Sequence, residues 1–262
     1  MNMKNSEFLN NQIFYSGFGR ELEEALNKKL EAGDKSFVLD FKNTYGTDEV
    51  VAKLNFNKSA KSELYFFNSY DLTLTKGNGK EVNQRFFIGK ENNITQKEAY
   101  NLLCGRAINK NWTKMEQVGE GTDAKYQPTE EKYEAWLQLD FNDVDERGNY
   151  KALRYHENYN FDLDKALSEQ PIKGIGNEVD KQQLMDSLKK GNRQAVTVME
   201  GDESKQIFIE ANPKERIVNV YEPKQTLAQK EQVSKTTSSQ KTEVKEAIKK
   251  DGRKQKKQGM QV

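Results

Sequence analysis

Hydrophobic and polar positions along this chain follow one order three times: an amphipathic helix, a glycine, and then alternating strands. A Leu-x-x-Gly tetrad ends each predicted helix, at Leu30–Gly33, Leu102–Gly105 and Leu188–Gly191. Glycine is typical of the position just past a helix end, because it adopts the left-handed conformation without a steric penalty. After each tetrad comes a strand-like run, and then a second apolar run that ends at an asparagine. Those asparagines are Asn57, Asn142 and Asn212. The pattern predicts one small helix-then-meander unit used three times.

The first predicted unit covers residues 1–92. Residues 1–16 are polar and then aromatic, whereas the leucines from Leu22 to Leu30 recur every fourth residue. That spacing places one apolar stripe on a helix, so the first helix is expected near residues 18–32. Strands are expected at 37–41, 50–56, 63–75 and 82–88, with a hairpin turn at 76–79.

The second predicted unit covers residues 93–172. Thr95 and Glu98 have the spacing of a capping box, which predicts a helix that runs to about Cys104. The polar segment Lys110–Glu131 contains two glycines and is expected to be a long loop. Strands are expected at 133–141 and 150–161, and a short helix at 162–169.

One strand of this unit alternates clearly between two faces. Ala135, Leu137 and Leu139 fall on one face, and Trp136 falls on the other. Successive side chains of a strand point to opposite sides of the sheet. We therefore expect Trp136 to point away from the other three side chains.

The third predicted unit covers residues 173–222. Asp180 is expected to cap a helix that carries Leu184 and Leu188 on one face. Three short strands are then expected, at 195–199, 206–211 and 216–221. Antiparallel strands that follow a helix within each unit predict an α+β fold.

The last segment, residues 223–262, differs from the rest in composition. It has no aromatic residue and is rich in Lys, Gln, Ser and Thr, which predicts a disordered tail. It carries 11 Lys and Arg against 4 Asp and Glu, a net charge of +7, whereas the remainder carries 31 against 37, a net charge of −6. The net charge of +1 therefore combines an acidic body with a basic tail, and this segregation indicates a binding partner.

Composition also limits the setting of the protein. A single cysteine, Cys104, cannot form an intrachain disulfide, which fits a reducing compartment. The chain shows no long apolar run and no apolar core of a signal peptide near its start, so we expect a cytoplasmic location and no membrane partner. The oligomeric state is not indicated.

Few residues have the pattern of a catalytic or cofactor site. The one histidine, His156, and the one cysteine, Cys104, cannot form a zinc cluster of the usual spacing. His156 is either an ordinary strand residue or a base, and Cys104 is either an inert thiol in a helix or a nucleophile. The glycine pair Gly17 and Gly19 precedes a helix, but it lacks the third glycine and the leading strand of a dinucleotide site, so a turn is expected. We expect no enzyme activity, no cofactor and no metal.

Two segments could bind nucleic acid. The first is the aromatic run Leu64–Tyr70, in which Tyr65 and Phe67 could stack on bases with Lys58, Lys61 and Arg85 nearby. The alternative is a central strand packed on both faces. The second is a basic cluster in the tail, which could bind phosphates nonspecifically or serve only as a solubilising end. Its cations are Lys249, Lys250, Arg253, Lys254, Lys256 and Lys257.

Several phrases of the sequence resemble a known group of proteins. They are LYFFNSYDLTL, KEAYNLLCGRAINK, AWLQLDFND, YHENYNFDLDKAL and FIEANPKERIVNVYE, in this order. Over residues 12–222 the chain is similar to uncharacterised domain-of-unknown-function proteins carried by conjugative and other mobile elements of gut anaerobes, some fused to or neighbouring topoisomerase-like genes. No catalytic residues are established for that group, so the resemblance implies only a cytoplasmic, mobile-element setting and, by association, a role on DNA.

Three hypotheses of function follow. The first is a non-enzymatic accessory or binding protein of a mobile element that contacts DNA or RNA nonspecifically through the basic tail. The second is a protein–protein adaptor with no nucleic-acid role, and the third is an unrecognised enzyme. Salt-dependent binding to nucleic acid separates the first from the second, and a deep pocket with converging polar groups would favour the third.

Overall fold

A computed structural model describes residues 2–121, 124–201 and 203–223. Its α-helices are α1 (Met3–Ile13), α2 (Glu23–Ala32), α3 (Gln96–Leu103), α4 (Leu163–Ser168) and α5 (Glu178–Lys189). Its strands are β1 (Ser36–Tyr45), β2 (Asp48–Lys58), β3 (Tyr65–Thr75), β4 (Glu81–Phe87), β5 (Ile108–Val118), β6 (Lys125–Val144), β7 (Tyr150–His156), β8 (Gln194–Glu200), β9 (Glu203–Asn212) and β10 (Ile217–Tyr221). A π-helical turn at Phe14–Phe18 and a 3₁₀ turn at Glu157–Tyr159 complete the regular structure.

The strands form three antiparallel sheets, and the predicted α+β class is confirmed. The first sheet has the order β1-β2-β3-β4, the second β5-β6-β7, and the third β10-β9-β8. In every sheet, strands that are consecutive in the chain lie side by side, as expected of short hairpin connections. Helices α2, α3 and α5 immediately precede the three sheets in the chain.

The three tetrads end helices in the way that their sequence predicts. Gly33, Gly105 and Gly191 have φ angles of 76°, 85° and 78°, all in the left-handed region. At the end of α3, Gly105 N donates to Leu102 O (2.9 Å) and Arg106 N donates to Asn101 O (3.0 Å). These are the two hydrogen bonds of a Schellman motif, which satisfies carbonyls that the helix itself leaves unpaired.

The N-terminal segment differs from its prediction, because residues 3–13 form α1. Asn2 caps this helix, and Leu9 and Ile13 are buried one turn apart. The helix was not predicted because much of its inward face is polar. Asn5, which is buried, donates from Nδ2 to Tyr65 O (3.0 Å) and accepts at Oδ1 from Tyr65 N (2.8 Å). These two bonds satisfy both polar ends of the buried amide.

The predicted loop at Lys110–Glu131 is also wrong. Most of it belongs to a long two-stranded ribbon in which β5 pairs with β6, for example Met115 with Pro128. Side chains beyond Thr113 are exposed on both faces of the ribbon, so the sequence lacks the apolar alternation that marks a half-buried strand. The backbone pairing, rather than side-chain burial, extends these strands.

Other predicted elements are shifted by a few residues. The strand expected at 150–161 ends at His156, where the 3₁₀ turn begins. The cap of α5 is Asn177 and not Asp180, because the Asn177 side chain accepts from the backbone N–H of Val179 and Asp180. The capping box of Thr95 and Glu98 is confirmed.

Two hydrophobic cores meet at the second sheet. Ala135, Leu137 and Leu139 of β6 face the first core, together with α1–α3 and the first sheet. Trp136, on the opposite face of β6, packs into a second core with Tyr155, α4 and the third sheet. The predicted alternation of this strand is confirmed. The residues described up to Val220 form one compact unit.

Candidate binding cleft

The aromatic run of β3 does not present the predicted stacking residues. Tyr65 and Phe67 are only 4% and 3% exposed, so the prediction that they stack on bases is wrong. Phe67 stacks instead on Phe56, with ring centroids 5.0 Å apart, and the Tyr65 hydroxyl donates to Asp34 O (2.8 Å). The intervening Phe66 is 48% exposed, so β3 is packed on one face and not on both.

The cations predicted to flank that run are largely neutralised. Lys58 pairs with Glu63 (2.5 Å), and Arg85 pairs with both carboxylate oxygens of Asp71 (2.6 and 2.9 Å). Burial raises the pKa of Asp71, but hydrogen bonds from Arg85 and Asn55 lower it more, so it lies below its usual range. Lys61 lies in the exposed β2–β3 connection. Two of the three cations predicted to flank the run are therefore engaged in ion pairs.

The remaining candidate residues are dispersed. Cys104 is buried at the end of α3, and burial raises the pKa of its thiol, which disfavours the nucleophilic thiolate. Gly17 (φ 89°) lies in the π-helical turn as a bend between helices. In the described part of the chain, no three His, Cys, Asp or Glu side chains are grouped closely enough to hold a metal ion. The six cations of the tail cluster lie outside the described residues.

His156 does lie at a concave site. It lines an open cleft of about 580 Å³ between the second sheet and helices α4 and α5, hereafter the α4–α5 cleft. Apolar side chains form its inner wall: Trp136, Leu163 and Met185. The ring of half-buried Phe161 meets Trp136 at a centroid distance of 5.3 Å and an angle of 58°. The two rings thus form a corner.

Charged side chains surround this corner. Glu134 of β6 accepts from Lys189 of α5 (3.0 Å), which joins the second sheet to the helix across the rim. Asp162 caps α4 by accepting from Lys165 N (3.0 Å), and Glu157 is exposed at the end of β7. An apolar corner with a mixed but predominantly acidic rim can bind a ligand that is partly apolar and partly charged.

The local structure explains how these residues meet. The 3₁₀ turn after β7 ends at Asn160, whose positive φ of 57° redirects the chain. Phe161 follows immediately and turns back over Trp136, and Asp162 then starts α4. The sequence indicated only that Trp136 faces away from Ala135; the pairing of Glu134 with Lys189 joins residues 55 positions apart and has no local signal.

Comparisons of the chain with protein-family models, with curated proteins and with solved structures found no match. No helix in the described residues is both long enough and apolar enough to span a membrane.

Proposed function

We propose that this protein is a non-enzymatic accessory binding protein of a mobile genetic element, and that it contacts nucleic acid nonspecifically through its basic tail. The observation that supports the proposal is the segregation of charge, +7 in residues 223–262 against −6 in the remainder. Clustered cations bind nucleic acid because they release the counterions condensed on its phosphates, whereas an acidic body repels those phosphates. The burial of Tyr65 and Phe67 leaves the tail as the stronger of the two sequence candidates.

The test compares two sets of glutamine substitutions in the full chain. The first set removes the clustered cations at Lys249, Lys250, Arg253, Lys254, Lys256 and Lys257. The second, a control of similar charge, removes the upstream tail cations at Lys224, Lys230, Lys235, Lys241 and Lys245. Binding of a labelled single-stranded DNA is measured by fluorescence anisotropy over a range of salt concentrations.

We expect the first set to abolish binding and the control set to retain most of it. In the unchanged protein, the slope of log K against log salt should reach about −4 to −6 if most of the six cations meet phosphates. A protein that ignores both DNA and RNA at about 50 mM salt would exclude the nucleic-acid function, since nonspecific binding is strongest at low salt.

The α4–α5 cleft favours a second candidate function, a protein–protein adaptor. Its aromatic corner is concave and rimmed by polar groups, and its volume of about 580 Å³ suits side chains of a partner. The test is affinity capture from the organism that encodes the protein, with nuclease present. A partner that is retained under nuclease and lost in Phe161→Ala would support the adaptor, and a partner lost to nuclease alone would contradict it.

We also propose that the three helix-and-sheet units arose from one repeated unit, with boundaries near residues 92 and 172. Two observations support this: the glycine after each of α2, α3 and α5 is left-handed, and each of these helices leads into an antiparallel meander. An experimental structure in which one unit has a different strand order would contradict the repeat.

A further inference from the structure

We infer that the α4–α5 cleft binds a cationic side chain, a lysine or an arginine, presented by a partner protein. The inference rests on the proposed adaptor function and adds the chemistry of the partner. Three features of the cleft carry it: its aromatic corner, the balance of charge on its rim, and its size.

The aromatic corner suits a cation. Trp136 and Phe161 stand at 58° with their ring centroids 5.3 Å apart, so they do not form a flat platform of the kind on which a planar ring stacks. A ring face attracts an ammonium or guanidinium group electrostatically. Half-buried Phe161 is the ring of the corner that a ligand can reach, because Trp136 behind it is only 6% exposed. A contact between a cation and an aromatic ring also occurs elsewhere in this protein, since the Arg216 guanidinium lies 4.7 Å from the ring centroid of Tyr159.

The rim carries an excess of negative charge. Four carboxylates line the cleft, whereas its lysines are two, Lys165 and Lys189. Lys189 is engaged by Glu134, and Asp164 is engaged by Lys181 from outside the lining. The remaining carboxylates, Glu157 and Asp162, are exposed at the rim. Lys165 opposes their charge on the rim, and Lys181 also opposes that of Asp162. The net charge of −6 on residues 1–222 adds a long-range attraction for cations.

The size of the cleft fits a side chain on an extended segment. A volume of about 580 Å³ is within the usual range for sites that hold a small ligand or a few residues. The methylene stem of lysine or arginine would cover half-buried Met185, and its charged end would reach the carboxylates at the rim. An acidic segment would meet the same carboxylates with repulsion.

The chain provides its own reporter for the test. His156 is the only histidine, and it lines the cleft, so its imidazole proton resonances report on this site without any label or substitution. The full-length protein is titrated with a hexaarginine peptide and, separately, with hexacitrulline, which has nearly the same shape and no charge. We expect a saturable shift of the His156 resonances with hexaarginine and none with hexacitrulline.

Two pairs of substitutions test whether the carboxylates at the rim bind the cation. Glu157→Gln with Asp162→Asn removes two charges from the rim, and the asparagine keeps the cap of α4 because it is also a good capping residue. Glu49→Gln with Glu81→Gln removes two exposed charges from the first sheet and serves as the control. The rim pair should weaken hexaarginine binding by about three- to tenfold, as expected for two exposed ion pairs, and the control by less than about twofold.

The aromatic contribution is tested by Phe161→Leu, which keeps an apolar side chain and removes the ring. We expect hexaarginine to bind about two- to fivefold more weakly. Equal shifts of His156 by hexaarginine and hexacitrulline, or equal weakening by the rim and control pairs, would overturn the cationic assignment. Partner capture that depends on Phe161 without any hexaarginine response would also overturn it while leaving the adaptor intact. A hexaarginine response without partner capture would support the ligand chemistry and reject the adaptor.

Discussion

The helix ends at Gly33 and Gly191 have the same sequence pattern and nearly the same backbone, with φ angles of 76° and 78°, yet their surroundings differ. A Cβ atom added at Gly33 would meet nothing within 4 Å. At Gly191 it would lie 2.9 Å from Ala107 O and 3.0 Å from Asn101 Cβ. One glycine is therefore required by its conformation alone, and the other also by a close approach of two parts of the chain.

The crowding at Gly191 comes from the contact between the ends of α3 and α5. Asn101, fully buried in α3, donates from Nδ2 to Lys190 O (2.7 Å) and to the side-chain oxygen of Asn192 (3.0 Å). Arg106 in turn donates to Asn101 Oδ1 (2.6 Å). The Asn101 side chain of α3 thus caps the last turn of α5, and Gly191, which follows that turn, lies against Asn101.

The largest expected effect is that of Gly191→Ala. Alanine in the left-handed conformation costs about 1–2 kcal/mol, and overpacking against backbone adds about 1–3 kcal/mol. We expect the free energy of unfolding to fall by about 2–5 kcal/mol in total, as measured by urea denaturation followed by circular dichroism. A loss of only about 1 kcal/mol would show that the contact with Ala107 relaxes freely and would remove the distinction between the two ends.

Asn101→Ala tests the contact from the other side. The substitution leaves Lys190 O and the buried Arg106 guanidinium without their amide partner, so we expect a loss of about 1–3 kcal/mol in the free energy of unfolding. Asn83→Ala is the matched control, because Asn83 is also hydrogen-bonded, to Thr73 Oγ1 (2.7 Å), but is exposed. The free energy of unfolding of the control should fall by less than about 0.5 kcal/mol. Equal losses in the two variants would mean that burial of the Asn101 network does not add to its stabilising effect.

Gly33→Ala isolates the conformational requirement. Only the left-handed backbone opposes alanine at this position, so the free energy of unfolding should fall by about 1 kcal/mol. In a chain of this size, the melting temperature should then fall by about 2–4 °C. A loss as large as that of Gly191→Ala would contradict the open surroundings of Gly33.

The smallest expected effect is that of Gly33→Asn. Asparagine enters the left-handed region more readily than alanine does, and nothing obstructs its side chain, so we expect a loss of only a few tenths of a kcal/mol. The same substitution at Gly191 should remain strongly destabilising, because asparagine still has a Cβ atom. Parallel denaturation curves of the two asparagine variants would measure the steric part of the difference directly.

The fold could be predicted from the sequence where the pattern of apolar side chains and the local conformational preferences favour the same structure. The capping box of Thr95 and Glu98 and the alternation of Ala135 with Trp136 both appear in the structure as expected. The helix α1 was not predicted, since buried Asn5 is satisfied by hydrogen bonds that the sequence does not reveal. The β5–β6 ribbon was missed for the opposite reason, because its outer part buries neither face.

The candidate site was much less predictable. His156 was identified as a residue that could be either structural or functional, but the residues that line the cleft come from four separate segments of the chain. Tyr65 and Phe67 were predicted to be the available rings of the aromatic run, and the packing of β3 buries both and exposes Phe66 instead. A run of consecutive aromatic residues does not indicate which face the core will cover.

The sequence by itself determined the C-terminal ends of α2, α3 and α5, most of the strands and the antiparallel character of the sheets. These depend on the conformational preferences of residues a few positions apart and on alternation within single strands. Tertiary structure alone decided that Gly191 is crowded and Gly33 is open, that opposite faces of β6 enter different cores, and that Trp136 and Phe161 form one wall of a cleft. Each of those outcomes is a contact between distant segments, whose free energy depends on shapes that no local pattern encodes.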